Sequence, residues 1–122
     1  MKTTNQIKRT VKDFIRAGDV HDIALLESTL HSDFQNIQNG FFDKPGIYVF
    51  SKDDYKTLVE TKRFGGSPRT IEFLSIKDIG GIAHVDVFLE SEFLKFNSHL
   101  VLVNEKDETW KVIHNIPTIE VK

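Results

Sequence analysis

Two ionisable side chains, His114 and Glu72, lie in strand-like segments whose alternation places both among apolar residues. An imidazole titrates near neutrality and can bind a ligand or move a proton, and a carboxylate can serve as its partner. We therefore predict His114 and Glu72 as catalytic residues, with His114 also binding the ligand. The alternatives are a core histidine satisfied by a carbonyl group or a helix side chain, and a glutamate turned to solvent by a one-residue change of loop length.

The three segments that must position His114 are GIAHVDVFLE, NSHLVLVNE and TWKVIHNI. A turn centred near Leu94 and Lys95 would pair Leu89 with Leu100 and Val87 with Leu102. A second turn at 105–108 would place Leu100 opposite His114, Leu102 opposite Val112, and Asn104 opposite Trp110. One face of the sheet is then apolar except for its histidine. Its members are Val85, Val87, Leu89, Leu100, Leu102, Trp110, Val112 and His114.

The Gly80-Gly81 pair predicts a two-residue hairpin turn, which would pair Ile79 with Ile82 and Glu72 with Leu89. This register places Glu72 on the same face as His114, in the row Glu72, Leu89, Leu100 and His114. Three strand spacings separate the ends of that row, about 14 Å on a flat sheet. A ligand could bridge the two ionisable groups.

An apolar island interrupts the opposite face of the predicted sheet, which would otherwise be expected to face water. This outer apolar island consists of Phe88, Val101, Val103 and Ile113. It predicts a homodimer through the outer sheet face. The predicted register pairs His99 with Glu90, away from His84 and Asp86, so we expect a cross-strand ion pair there and no metal site.

Apolar residues at helical spacing predict three helices in the N-terminal half. The first spans about 4–17, the second is capped by Asp19 and ends near His31, and the third begins at a Ser51 and Asp54 cap and ends at Gly65-Gly66. A strand with a turn at Asn39-Gly40 separates the second helix from the third. Four antiparallel strands follow, from Arg69 onward. This order is typical of an α+β fold with helices on one face of a sheet.

Composition restricts the class of protein. A chain of 122 residues predicts a single domain, residues 1–122, and the absence of cysteine excludes disulfides and thiolate chemistry. The net charge of -2 gives no reason to expect nucleic acid as a partner. No segment is apolar enough to span a membrane, and no nucleotide-binding motif occurs, so we expect a cytoplasmic protein without a cofactor.

Three stretches together resemble the nuclear-transport-factor-2-like superfamily: GDVHDIALLESTLHSDF, SKDDYKTLV and NSHLVLVNEKDETWKVIHNI. Within it the sequence is most similar to the SnoaL-like and lumazine-binding groups. The resemblance implies a cone-shaped, strongly curved antiparallel or mixed sheet packed on three helices, the cystatin-like roll. It also implies an enclosed pocket and, often, dimerisation through the outer sheet surface.

The resemblance further implies that the first strand contributes to the mouth of the pocket, and we predict Phe34, Asn36 and Gln38 of that strand as ligand-binding residues. In the ketosteroid-isomerase and SnoaL-like branches an acidic residue near this place often acts as acid or base. The nearest equivalent here is Gln38, an amide that cannot transfer protons. This departure weakens the isomerase and cyclase interpretations.

Tyr48 and Trp110 each offer a flat surface with one polar atom, which suits stacking on a planar ring. We predict both as ligand-binding residues, together with Leu100; the alternative is that they are core or rim residues. Three hypotheses for function remain. The protein binds a small hydrophobic or planar molecule without catalysis, or it is a lyase or isomerase that uses His114, or it is a structural homodimer with an incidental pocket.

Overall fold

The computed structural model describes residues 2–105 and 109–122. The helices are α1 (Lys2–Asp19), α2 (Ile23–Thr29) and α3 (Lys52–Glu60). The strands are β1 (Leu30–Phe41), β2 (Lys44–Ser51), β3 (Thr70–Ile79), β4 (Ile82–Glu90), β5 (Leu94–Asn104) and β6 (Trp110–Val121). Of the turn predicted at 105–108, residues 106–108 lie outside the described residues. No helix of the described part is both long and apolar enough to cross a membrane.

The six strands form one mixed sheet in the order β2-β1-β6-β5-β4-β3. Neighbouring strands are antiparallel except β1 and β6, which run parallel. The sheet is curved without closing, and the three helices pack against it. The predicted α+β class is therefore confirmed, as is the run of four antiparallel strands at its C-terminal end.

Local capping explains where the two shorter helices begin. Ser51 and Asp54 form the predicted capping box at α3, in which each side chain accepts a hydrogen bond from the other residue's backbone N–H. The cap of α2 is Asp22, which accepts from Leu25 N at 3.0 Å, so the prediction of Asp19 was wrong. Asp19 ends α1 instead, and its carboxylate is thereby available to a later part of the chain.

The inner face of the sheet forms the core together with one side of α1. Seven of the eight residues predicted for this face are buried: Val85, Val87, Leu89, Leu100, Leu102, Trp110 and Val112. Their partners on α1 are the buried apolar residues Ile7, Val11, Phe14 and Ile15. Alternation along the strands was therefore a sound guide to the core, and the exception is His114.

A β-bulge in β6 moves His114 to the outer face. Leu102 pairs with Val112 as predicted, but Val101 pairs with His114, so Ile113 is an extra residue with no partner in β5. A single extra residue reverses the alternation that follows it. His114 therefore lies on the outer face and Asn115 on the inner face, and the predicted placement of His114 was wrong.

A second bulge, in β3, does the same to Glu72. The Gly80-Gly81 turn pairs Ile79 with Ile82 as predicted, but Leu74 is an extra residue between Phe73 and Ser75. Glu72 consequently pairs with Phe88 on the outer face and is exposed. The predicted pairing with Leu89 was wrong, and no inner row joins Glu72 to His114.

The hairpin between β4 and β5 differs from its prediction by four residues. The loop lies at 91–93, where Ser91 N donates to Leu94 O and Leu94 N to the Ser91 hydroxyl. Leu89 therefore pairs with Phe96 and Val87 with Ser98, not with Leu100 and Leu102. Because four is an even number, every side chain keeps its predicted face although it has a different partner.

Candidate functional site

A pocket of about 530 Å³ lies on the inner side of the sheet. Its floor comes from β1, β4, β5 and β6, and its walls come from α1, α3 and the loop at 61–69. The lining residues at one end are exposed and apolar, and they mark the mouth: Phe42, Phe93, Ile119 and Val121.

Three side-chain amides from neighbouring strands form a continuous hydrogen-bonded chain on the pocket floor. Asn115 Nδ2 donates to Asn36 Oδ1 at 2.8 Å, and Asn36 Nδ2 donates to Gln38 Oε1 at 2.7 Å. Gln38 Nε2 then donates to the backbone carbonyl of Gly40 at 2.9 Å. We call Asn115, Asn36 and Gln38 the amide chain. Their relative exposures are 6%, 1% and 7%, so these polar groups are held almost entirely by one another.

An ion pair supports the pocket wall between α1 and β3. Arg69 Nε lies 2.6 Å from Asp19 Oδ1, its backbone N–H donates to Asp19 Oδ2, and its Nη2 donates to the Ile15 carbonyl. The guanidinium also lies 5.0 Å from the ring centroid of Phe96, in a cation–π contact. The charge of Arg69 is therefore neutralised by Asp19 while the residue still lines the pocket.

Tyr55 of α3 lines the pocket and has its aromatic ring in a cluster with Phe14, Phe34 and Phe64. Burial raises the pKa of the Tyr55 phenol; nearby Arg69 opposes this shift and Asp19 adds to it. No hydrogen bond joins its hydroxyl to another described residue, and the hydroxyl is not among the fully enclosed polar atoms. The phenol is thus a neutral, available donor beside the pocket.

The loop after α3 is seated on the C-terminal end of α1 by backbone contacts. Gly66 N donates to Gly18 O at 3.3 Å, and His21 Nε2 lies 3.2 Å from the Phe64 carbonyl. Gly65 has φ +82°, and a side chain there would overlap the Gly18 carbonyl. Only glycine permits this approach. The helix α3 already ends at Glu60, so the Gly65-Gly66 pair does not end the helix as predicted but positions a wall of the pocket.

Some of the predicted ligand-binding residues line the pocket and others do not. Asn36 and Gln38 line the pocket. Phe34, Leu100 and Trp110 are buried in the core and are absent from the lining; the indole N–H of Trp110 is enclosed and has no hydrogen-bond partner among the described residues. All three therefore belong to the hydrophobic core and not to the pocket.

Tyr48 also lies outside the pocket. It pairs with Gln38 across β1 and β2, and its ring is half-buried against Phe41 and Phe50. Directly paired residues share a face of the sheet, but Tyr48 is not among the residues that line the cavity.

Sequence reasoning missed several polar residues of the pocket, among them Asn115, Tyr55 and Arg69. The bulge at Ile113 turns Asn115 to the inner face and leaves no signal in the hydrophobic pattern. The ring of Tyr55 fits the apolar side of α3, so the helical pattern gives no sign that its hydroxyl faces the pocket. Arg69 precedes β3 with no local pattern that points to a pocket.

The outer face of the sheet carries a hydrogen-bonded row of polar side chains that includes two ionisable residues. Asp86 accepts from the Ser75 hydroxyl at 2.9 Å, and its Oδ1 lies 2.8 Å from His99 Nδ1. The hydrogen bond to His99, followed by that to Ser75, lowers the pKa of the Asp86 carboxyl. Glu90 pairs with Lys122 instead of His99, so the predicted partner of His99 was wrong. We call Ser75, Asp86 and His99 the outer polar row.

Several solved structures are similar to this chain over nearly its whole length. An NTF-2 like protein of unknown function from Silicibacter pomeroyi is 13% identical with a TM-score of 0.82, over 99% of this chain and 97% of that one. A ketosteroid isomerase-like protein from Erwinia carotovora atroseptica is 14% identical with a TM-score of 0.74, over 91% of each chain. A protein with a cystatin-like fold from Caulobacter vibrioides is 14% identical with a TM-score of 0.69, over 98% and 91%.

No protein-family model matches the sequence, and no curated protein matches it either. The structural similarities establish the fold: the chain has the NTF2-like, cystatin-like fold, which confirms the predicted resemblance at that level. The narrower likeness to SnoaL-like and lumazine-binding proteins stays a prediction.

Proposed function

We propose that this protein, which has the NTF2-like fold, binds a planar and largely apolar small molecule without transforming it. One observation carries the proposal: no aspartate, glutamate or histidine of the described residues lines the pocket of about 530 Å³. The volume is typical of small-molecule sites. The lining combines aromatic walls with neutral amides, a pairing that holds a planar molecule and orients its polar edge.

The lyase or isomerase alternative has less support. General acid–base catalysis needs a group whose pKa lies near the working pH. Among the described residues, the ionisable groups that line the pocket are the Tyr55 phenol, whose pKa is raised by burial, and the guanidinium groups of Arg63 and Arg69, which offer donors but no acceptor. His114 and Glu72, the predicted catalytic residues, lie on the outer face of the sheet and do not line the cavity.

Binding can be tested with 2-naphthol, a planar probe with one polar group, by isothermal titration calorimetry. Ser98 lines the pocket from β5, so Ser98→Phe should obstruct the cavity. Asn97→Phe places the same ring on the exposed outer face and serves as the control. We expect saturable binding that Ser98→Phe removes and Asn97→Phe retains. Binding that survives the obstruction, or no saturable binding at all, would contradict the proposal.

We also propose that two copies of the chain pair through the outer sheet face. The support is the outer apolar island of Phe88, Val101, Val103 and Ile113, which is only partly buried in one chain. Phe88→Glu would place a charge at the centre of such an interface and should yield monomers in light scattering. Lys12→Glu, an exposed charge change on α1, is the control. A dimer unaffected by Phe88→Glu would place the interface elsewhere.

A further inference from the structure

The amide chain has a direction, and its last acceptor sets it. The Gly40 carbonyl can only accept, so Gln38 must present its nitrogen there and its oxygen to Asn36. Asn36 must then present its nitrogen to Gln38 and its oxygen to Asn115. Each amide orientation follows from the one before it, although oxygen and nitrogen look alike in shape. The oxygen of Asn115 is therefore the end of the chain.

That terminal oxygen is open to the pocket. Among residues 2–105 and 109–122, no hydrogen bond reaches Asn115 Oδ1, and Trp110 Nε1 is the one side-chain polar atom that is both enclosed and unpartnered. Asn115 Oδ1 must therefore be accessible, and Asn115 lines the pocket. One N–H of the same amide is also left over, since the other N–H binds Asn36. Asn115 Oδ1 is therefore an acceptor open to a ligand, and the remaining N–H lies on the same amide group.

We infer that the pocket selects molecules that carry an N–H donor beside a carbonyl acceptor, the lactam and imide class. The inference rests on the proposed binding function and adds the identity of the polar edge. The N–H of such a ligand would donate to Asn115 Oδ1, and its carbonyl would accept the remaining Asn115 N–H. Arg69 and Tyr55 supply further donors to carbonyl groups, whereas Asn115 Oδ1 is the open end of the chain that can accept.

The direction of the chain makes the discrimination strong. Asn115 cannot rotate its amide to offer nitrogen in place of oxygen, because Asn36 Oδ1 would then face Asn115 Oδ1 and lose its donor. A ligand with an acceptor at this position would meet a lone pair and leave a buried oxygen unpaired. The cost of such a mismatch is why buried polar groups reject analogues that lack the matching group.

Two bicyclic molecules of nearly identical shape test this selectivity. In 2-quinolone an N–H lies beside the ring carbonyl, and in coumarin a ring oxygen replaces that N–H. We expect 2-quinolone to bind at least tenfold more tightly than coumarin in calorimetric titrations of the full chain, since one buried hydrogen bond is lost and one lone-pair repulsion gained. Equal affinities, or a preference for coumarin, would overturn the inference while leaving the binding function standing. Binding of neither molecule would overturn the inference, and the titration with 2-naphthol would then decide whether the binding function stands.

A variant pair assigns the preference to Asn115. Asn115→Leu keeps the size of the side chain and removes its amide, so the two probes should bind with affinities within twofold of each other. Asn97→Leu makes the same change on the exposed face of β5 and should retain the wild-type ratio. If Asn115→Leu keeps the tenfold ratio of affinities, a group other than Asn115 distinguishes the two probes and the inference fails. The unmodified chain alone gives a decisive ratio if the variant does not fold.

Discussion

The two faces of one sheet carry two rows of hydrogen-bonded polar side chains that differ in their chemistry. The amide chain on the inner face is neutral, and each member is at most 7% exposed. The outer polar row contains a carboxylate and an imidazole, whose side chains are 50% and 37% exposed. The exposed carboxylate and imidazole of the outer polar row can be solvated in their charged forms, whereas amides tolerate burial once their hydrogen bonds are made. The contrast is the physical basis for our proposal that the pocket binds a ligand rather than transferring a proton.

Placing an ionisable group on the inner face should have the largest effect on the free energy of unfolding. Asn36→Asp places a carboxylate at the most buried position of the amide chain and removes the donor to Gln38. We expect the free energy of unfolding at neutral pH to fall by about 3 to 5 kcal/mol, the cost of an uncompensated buried charge. Urea denaturation measures this loss.

Burial would raise the folded-state pKa of the new carboxyl above its unfolded value of about 3.9. The deficit should therefore be small near pH 4 and grow as the pH rises through the folded-state pKa. Asn97→Asp, the same exchange on the exposed outer face, should change the stability by less than about 0.5 kcal/mol. Equal losses of stability in the two variants would show that the two faces do not differ in how they tolerate a carboxylate.

Contact between the pocket loop and α1 predicts the next largest effect. Gly65→Ala adds a methyl group that overlaps the Gly18 carbonyl at a positive φ. We expect a loss of about 3 kcal/mol in thermal or urea unfolding, because backbone cannot yield as a side chain can. Gly80→Ala has a φ of +64° but no atom within 4 Å, so its loss should stay near about 1 kcal/mol. A similar loss in both variants would mean that backbone strain alone, rather than the contact, decides stability here.

The pKa of Tyr55 reports how far water is excluded from the inner side of the sheet. The chain has two tyrosines, so Tyr48→Phe leaves Tyr55 as the single phenol. Burial should make this phenol ionise above the ordinary pKa of about 10, as followed by phenolate absorbance. Since the folded-state pKa is raised, its contribution to stability is present below about pH 10 and is lost as the pH rises through the folded value. Ionisation at the ordinary value would indicate a solvated hydroxyl.

The outer polar row should give the smallest effect. The hydrogen bond to His99 holds the pKa of Asp86 below its ordinary value, so His99→Ala should raise that pKa, as measured by carboxyl-carbon NMR. Ser75→Ala should raise it less. The contribution of Asp86 to stability is present above its unfolded pKa of about 3.9 and lost as the pH falls through the folded value. Because the pair is exposed, the change in unfolding free energy should stay under about 1 kcal/mol.

Much of the fold was predictable because each signal is local. The Ser51 and Asp54 cap and the Gly80-Gly81 turn depend on residues within a few positions of one another, and both are confirmed. The candidate site was predictable only in part. Asn36 and Gln38 were found through the resemblance, whereas Asn115 was missed because its face depends on a bulge in the strand that carries it.

The amino-acid pattern by itself determined which residues of an unbroken strand share a face, since side chains alternate with a period of two. That is why the seven buried residues of the inner face were identified even though the hairpin between β4 and β5 was offset by four positions. Only the tertiary structure decided where Leu74 and Ile113 leave the ladder. A bulge is selected by the partner strands and by the curvature of the sheet, and its single extra residue reverses every face beyond it. Because of the bulges at these two residues, the expected acid–base pair lies on the outer face, and the inner face carries a buried chain of amides instead.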